Sequence, residues 1–574
     1  MARQWLISTP AHDRDTFAHR CDVSPIVAQL LLNRGLDGAE STARFLQPQL
    51  KDLYAPHLLP GVTRAGEIIA DAVRRKSKIV LYGDYDVDGT TGLAILWHVI
   101  RRAGVDVAFY VPHRVEEGYG LNLEAVKRLI AEGAQLIVSI DCGITAVEVA
   151  RAARAAGAKL IITDHHAPHG EIPDADAIVH PIVGGKYPNP DICGAGVAFK
   201  LAWALAQQWS GSDRVAPEFR QLLMDLLPLV ALGTIADVVP ITGENRVIAK
   251  HGLSGLATTK WPGIRALMES ANLDPTRVSG YDVGFKLAPR INAAGRMGHA
   301  RLAVELLTRA DDARSREIAL YLEDHNRQRQ ATERRITKDA VELIDKNNLA
   351  GDARRAIVLA SEGWHVGVIG IVAARIVERY HRPTVMISLS NGEGQGSARS
   401  VKHFALNEAL AACGEHLLSF GGHAMAAGLR IDSKRVASFT EVFVGVANDR
   451  LTGDDLKPKL RLDAEVALSA LTVPTVEAIT SLGPFGIGNP RPKFATGWLE
   501  LADEPRLVGS GQKHLQAALR ENGTMLKAIG FGLADEIENL KRHRRCRVAF
   551  EPIINDFNGR RTVEVQILDL QYPS

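Results

Sequence analysis

Three short runs of apolar, mostly β-branched residues each end in acid. Lys78-Ile79-Val80-Leu81-Tyr82 leads into Gly83-Asp84-Tyr85-Asp86-Val87-Asp88-Gly89, Leu136 to Ile140 ends at Asp141, and Lys159 to Thr163 ends at Asp164-His165-His166. The stretches Thr90 to Arg102, Asn122 to Glu132 and Thr145 to Ala156 between them have helical spacing. Continuous apolar strands alternating with helices predict βαβ units and a parallel sheet covered on both faces. In such a sheet the carboxyl ends of the strands lie along one edge, where ligands bind. The separate acids are therefore expected to converge there.

From about Ala300 to Lys346 the chain becomes helical and heavily charged, with apolar positions too thin for a globular core. This reads as a long, partly solvated connecting helix. A second α/β block starts at Ala356 to Ala360, continues through a helix around Val368 to Glu378 and a strand at Thr384 to Leu389, and closes with Gly421-Gly422-His423-Ala424-Met425-Ala426-Ala427-Gly428. Beyond Leu460 short strands dominate. Asn558-Gly559 marks a hairpin, followed by alternating Val563, Val565 and Ile567. A small antiparallel barrel of the oligonucleotide-binding (OB) kind is expected there. The expected domains are 1–300, a connecting helix over 301–348, 349–452 and 458–574.

Composition narrows the class. With 46% hydrophobic residues the chain can build real cores, which excludes a disordered protein. Lys+Arg 68 against Asp+Glu 66 excludes a strongly basic coat protein but leaves room for a local basic channel. Five scattered cysteines without a CxxC pair suit a reducing compartment rather than a disulfide framework. The first residues lack the apolar core of a signal peptide, and Asp225, Pro228 and Asp237 interrupt the most apolar stretch, Leu222 to Ile241. That stretch reads as a buried core element and the protein as cytoplasmic, with no membrane partner.

The acids carry the chemistry. Asp84, Asp86 and Asp88 follow one strand, and on an extended segment alternate side chains face the same way. Crowded carboxylates repel unless a cation neutralises them. Together with Asp141, Asp164, His165, His166 and Asp237, all expected at strand ends, they are too many for one ion. They suit a two-metal centre with ions about 3.5–4 Å apart, and the imidazole favours Mn²⁺ or Mg²⁺ over calcium. A single Asp at a strand end also fits a turn or a helix cap. No bidentate Glu completes an EF-hand loop, and no GK[ST] completes a phosphate-binding P-loop.

The runs Tyr82 to Gly89 and Asp164-His165-His166 resemble the DHH phosphoesterase superfamily, and Gly421 to Gly428 resembles its accessory domain, DHHA1. Pro289-Arg290-Ile291-Asn292-Ala293-Ala294-Gly295-Arg296 and Gly483-Pro484-Phe485-Gly486-Ile487-Gly488-Asn489-Pro490 narrow the resemblance to its single-strand-specific 5′→3′ exonucleases, from about residue 20 onward. The resemblance implies a parallel-sheet DHH domain, a long connecting helix, a DHHA1 α/β domain and an OB-like barrel. It implies metal ligands at Asp86 and Asp88 with Asp84 beside them, Asp141 as the bridging ligand, and His165 and Asp237 on the metals. His166 would touch phosphate or hold the surrounding shell, and Asp164 would support the histidines. Tyr82 stands where many relatives carry a ligating His.

On the substrate side, Ser397 and Arg399 are expected to read a 5′-phosphate, helped by Arg114, Asn292 and Arg290 or Arg296. His423 reads either as a substrate contact or as a structural histidine. Phe485, Phe494, Trp498, Phe531, Phe550 and Phe557 could stack bases or fill the barrel core. Lys541 to Arg547 reads as a solvated helix end or loop that could also meet phosphate. The resemblance further implies a narrow channel admitting one DNA strand. It also implies a monomer that works with single-strand binding protein and a RecQ-type helicase in recombination and mismatch repair. The alternatives are an oligoribonuclease or cyclic-dinucleotide phosphodiesterase of the superfamily, which lacks the barrel, and a non-catalytic replication scaffold, which loses its acids.

Overall fold

A computed structural model describes residues 3–113, 117–118, 120–296 and 299–573. Two compact units divide them: 5–320 with 461–574, and 321–460 with the first few residues.

In the first unit, five parallel strands are β1 (Ile79–Gly83), β2 (Ala108–Tyr110), β3 (Leu136–Ile140), β4 (Lys159–Thr163) and β5 (Ala177–Val179), in the order β2-β1-β3-β4-β5. β1 and β3 are buried along their whole length, as continuous apolar runs require. The outer strands β2 and β5 have three residues each, too short to leave a hydrophobic pattern. Helix α1 (Val87–Arg102) packs on α2 (Gly194–Ser210) and α3 (Pro217–Ala236), and α4 (Gly243–Leu256) packs on α3.

Two expectations change at this point. α1 starts at Val87 rather than Thr90, so Asp88 lies in a helical first turn and not on an extended segment. Asp237 follows the helix α3, not a strand. An apolar run buried all round reads alike as strand or helix, and only its length separates the two. By length and composition α3 could cross a membrane, but its Leu226, Leu227, Leu229, Val230 and Leu232 are buried inside the unit.

Helix α5 (Ala288–Arg296) lies against the turn after β1, since a Cβ on Gly295 would sit 2.7 Å from the Tyr85 carbonyl. The charged stretch after it forms two helices, Ala300–Thr308 and α6 (Asp312–Lys346), and the boundary between units falls within α6. Ile336, Ala340 and Ile344 recur every four residues on one face of α6. They are buried with Ile369, Val372 and Ile376 of α7 (Val366–Tyr380), so this half of the helix belongs to a core after all.

The second unit carries β6 (Ile357–Glu362), β7 (Thr384–Ser390), β8 (Glu393–Arg399), β9 (Leu417–Gly422) and β10 (Ala426–Asp432), in the order β9-β10-β8-β7-β6. Only β6 and β7 run parallel.

The C-terminal strands of the first unit are β11 (Ala464–Glu465), β12 (Phe494–Ala495), β13 (Leu499–Leu501), β14 (Arg506–Val508), β15 (His514–Glu521), β16 (Thr524–Gly530), β17 (Arg545–Phe557) and β18 (Arg560–Gln571). The ring β17-β13-β15-β16-β18 closes through the β17–β18 pair into a five-stranded barrel, the OB arrangement, in which β16 and β18 pair in parallel, so the barrel is not wholly antiparallel as expected. Asn558 and Gly559 make the β17–β18 turn with φ of 50° and 73°, both in the left-handed region such a turn demands. Phe494 and Phe550 fill the core, while Trp498, Phe531 and Phe557 are exposed. The N-terminal residues Phe17, Val27, Leu30 and Leu31 share this core with Leu468, Val548 and Val565.

Candidate metal centre

The acids do converge. Asp86 caps α1, its Oδ1 accepting the Gly89 N–H at 3.1 Å, while Asp84 is buried just after β1. Asp88, two residues on in the first turn of α1, meets the start of α2. Its Oδ2 accepts the Gly194 N–H at 2.5 Å and its Oδ1 the Ala195 N–H at 2.8 Å. The helix N-terminus thereby holds this carboxylate from both sides. Asp141 follows β3 with φ 64° and donates its N–H to the Thr163 carbonyl at 2.9 Å.

Glycines make the room. A Cβ on Gly194 would lie 2.6 Å from Asp141 Oδ1, and one on Gly233 would lie 2.7 Å from Asp88 Oδ1. Neither glycine stood out in the sequence, although the small-residue run Cys193-Gly194-Ala195-Gly196 ahead of a helix is a readable sign of close approach.

After β4, Asp164 turns back on its neighbours. Its Oδ1 accepts from the His165 and His166 N–H groups and from His166 Nδ1 at 2.7 Å, and its Oδ2 from the Ile144 N–H. Burial opposes its charge, but the His166 hydrogen bond and charge hold its pKa below the usual range, while His166 is pushed up to about 9. His180, which sequence reasoning missed, donates Nε2–H to the His166 carbonyl at 2.9 Å.

His165 Nε2 lies 3.2 Å from Asp141 Oδ1, 3.6 Å from Asp237 Oδ2 and 3.7 Å from Asp88 Oδ2. Two groups of donors result. Asp84, Asp86 and Asp141 form one and Asp88, His165 and Asp237 the other, with the ligand atoms of each within 4.8 Å of one another. Asp141, His165 and His166 make a third group that overlaps both.

This donor set fits divalent cations. Burial first, and then neighbouring carboxylates, push Asp86 and Asp141 above the usual range and Asp237 up to about 9. Such groups ionise together only with positive charge among them. Asp141 Oδ1, His165 Nε2 and Asp237 Oδ2 are buried and make no hydrogen bond. Mixed carboxylate and imidazole donors suit Mn²⁺ and Mg²⁺.

Tyr82 is not aimed at this cluster. Its hydroxyl donates to the Gly120 carbonyl and accepts the Asn122 N–H, both at 3.2 Å, and its ring packs on Tyr110. Asn292, expected on the substrate side, accepts the Val87 N–H at 3.2 Å and so helps set the start of α1. Arg290 is half-buried, with Nη1 donating to the Lys286 carbonyl at 2.6 Å. Arg114 and the Arg296 side chain lie outside the described residues.

In the second unit, Arg399 Nη1 donates to Ser397 Oγ at 3.2 Å. A Cβ on Gly370, near the start of α7, would sit 2.8 Å from that hydroxyl. His423 is exposed in the β9–β10 turn, its N–H donating to the Ala426 carbonyl.

Three family models match the chain: the DHH family N-terminal domain over residues 78–234, the DHHA1 domain over 354–449 and the RecJ OB domain over 462–569. With the parallel sheet and its acid–histidine cluster, they define a phosphoesterase of the DHH class. The Bacillus subtilis (strain 168) protein named single-stranded-DNA-specific exonuclease RecJ is 36% identical over 99% of this chain and 70% of its own length. The chain belongs to the RecJ family. The crystal structure of RecJ from Thermus thermophilus in complex with Mn²⁺ superposes with a TM-score of 0.84 at 31% identity, covering 100% of this chain and 80% of that one. The Mg²⁺ complex from the same source gives 0.77 at 29% identity, with 100% and 79% covered.

Proposed function

We propose that this chain is a metal-dependent exonuclease that hydrolyses single-stranded DNA from its 5′ end and releases mononucleotides. The observation that carries the reading is the pair of acidic groups joined at Asp141 and His165, an arrangement suited to two ions rather than one. Bound there, Mn²⁺ or Mg²⁺ would supply the charge that activates water and polarises a phosphoryl oxygen.

The chain's own residues hold that geometry. The α2 N–H groups prevent Asp88 from swinging out of the cluster, and Asp164 orients the His166 ring so that its other nitrogen can reach a phosphoryl oxygen. Ser397 and Arg399 serve as the reader of the terminal phosphate, a hydroxyl and a guanidinium side by side. Exposed Trp498, Phe531 and Phe557 give the barrel surfaces on which bases can stack. The reading extends to a cytoplasmic monomer in recombination and mismatch repair, beside single-strand binding protein and a RecQ-type helicase.

Digestion of end-labelled single-stranded DNA with Mn²⁺, Mg²⁺ or chelator, beside matched duplex and short RNA, tests the reading. The expected result is metal-dependent release of mononucleotides from the 5′ end of single strands. Cleavage of short RNA or a cyclic dinucleotide with DNA left intact would overturn it. In the same assay Arg399→Ala should lose the preference for a 5′-phosphorylated end, and an unchanged preference removes Arg399 from that role.

A further inference from the structure

Asp237 Oδ2 is buried and has no hydrogen bond among the described residues, unlike either carboxylate oxygen of Asp88. Its place is set by its backbone: the N–H donates to the Gly233 carbonyl at 2.9 Å, and Val238 then turns through φ 65°. That conformation is unfavourable for a β-branched residue, so the segment beyond it must be held. An open apolar cavity of about 730 Å³, bordered by Val238, Val239, Phe285 and Ile487, leaves one side of it without packing.

Two clamps grip Pro240 to Thr242. Asn245 of α4 donates Nδ2–H to the Pro240 carbonyl at 3.1 Å. The other clamp is the loop Gly483 to Pro490, which lies within the barrel segment of the sequence. Ile241 N–H donates to the Ile487 carbonyl at 2.7 Å. Gly486 passes so close that a Cβ would lie 2.7 Å from Ile241 Cγ1, and one on Gly488 (φ 74°) would lie 3.1 Å from Thr242 Cγ2.

The loop is itself anchored. Asn489 Nδ2 donates to the Leu482 and Pro484 carbonyls, both at 2.9 Å, and Asn489 Oδ1 accepts from Arg34 Nε at 2.8 Å. Arg34 Nη2 donates to the Pro490 carbonyl at 2.8 Å. Buried Arg246, stacked 3.8 Å over the Phe45 ring, donates to the Gly483 carbonyl at 2.9 Å.

We propose that the loop 483–490 is a strap that positions Asp237, so that the barrel helps to build the metal centre as well as offering a surface for DNA. The inference rests on the metal-binding reading above and deepens it: Gly486, Asn489 and Arg34 are positioning residues for a ligand they never touch.

The test is a calorimetric Mn²⁺ titration of the full chain, with thermal melts to confirm folding. Asp237→Asn should weaken Mn²⁺ binding, and Gly486→Ala should weaken it by about ten- to a hundredfold, as for other supports of a metal ligand. Ile241→Ala removes the atom that the new Cβ meets, so Gly486→Ala with Ile241→Ala should recover most of the affinity. Val548→Ala, which loosens the barrel core away from the strap, should bind Mn²⁺ as the native chain does.

Native affinity in a folded Gly486→Ala, with Asp237→Asn weakened, would overturn the strap and leave the metal reading standing. Native affinity in Asp237→Asn would overturn both. A double variant as weak as Gly486→Ala would reduce the effect to general loosening and also overturn the strap. If Gly486→Ala gives no cooperative melt, Arg34→Ala, which removes the donors to Asn489 and Pro490, takes its place and is read in the same way.

Discussion

Asp141 sits where both donor groups meet, and burial with surrounding carboxylates makes its charge costly when no cation is bound. Asp141→Asn should therefore cut Mn²⁺-dependent nuclease activity by more than the roughly 10–100-fold seen when an outer support of a metal ligand is lost, yet raise the melting temperature of the metal-free chain. Nuclease assays paired with melts in chelator check both halves, and a lowered metal-free melting temperature would contradict the second. Tyr82 makes the contrast. Its hydroxyl is bonded to the backbone at Gly120 and Asn122, so Tyr82→Phe should cost about 1–2 kcal/mol of stability and leave Mn²⁺ binding as it is. Denaturant melts and a Mn²⁺ titration separate the two effects. Asp84 and Asp141 were legible as carboxylates at strand ends, whereas Asp88 stands in the first turn of α1 and Asp237 at the end of α3. The groups that hold them were not legible: the N–H groups of Gly194 and Ala195, and the bare Cα of Gly233, leave no chemical mark in a sequence.

Among the elements, α1 links the site to the core. Asp88 projects from its first turn, and His98 lies farther along it, donating Nε2–H to the Leu307 carbonyl at 2.9 Å with its ring 4.1 Å from Trp261. Burial, aided by the charge of Lys260, pulls the His98 pKa down to about 4 despite that hydrogen bond. The unfolded chain takes up this proton near pH 6.5, before the folded one does. The stability due to neutral His98 is thus complete above pH 6.5 and is lost as pH falls towards 4. Between pH 7 and pH 5 the loss amounts to about 2 kcal/mol. Urea melts at both values should show His98→Gln losing less stability over this range than the native chain. Equal losses would assign the acid sensitivity to other groups. α3 teaches a second lesson at this scale, since an apolar run announces burial but not whether it is helix or strand.

Across the whole molecule, the N-terminal helices and the C-terminal barrel share one core although most of the chain separates them in sequence. Phe17 is buried against that core, and Phe17→Ala should cost about 3–5 kcal/mol. The transition reported by the barrel's Trp498 fluorescence should shift with it. A barrel transition that stays in place would mean that the two parts fold independently. The parallel sheet, the placement of Asp84 and Asp141 at its strand ends, the barrel with its Asn558-Gly559 hairpin and the family were determined by the sequence alone, whereas helices bring Asp88 and Asp237 to the same place. Strand and helix periods are local, and the sheet rule gathers the strand ends along one edge. Only the tertiary structure decided which backbone groups secure Asp88, where the N-terminal helices pack, and that residues 483–490 grip the segment after Asp237. Those contacts join residues far apart along the chain, and an apolar face or a glycine-rich loop is compatible with many neighbours until packing selects one.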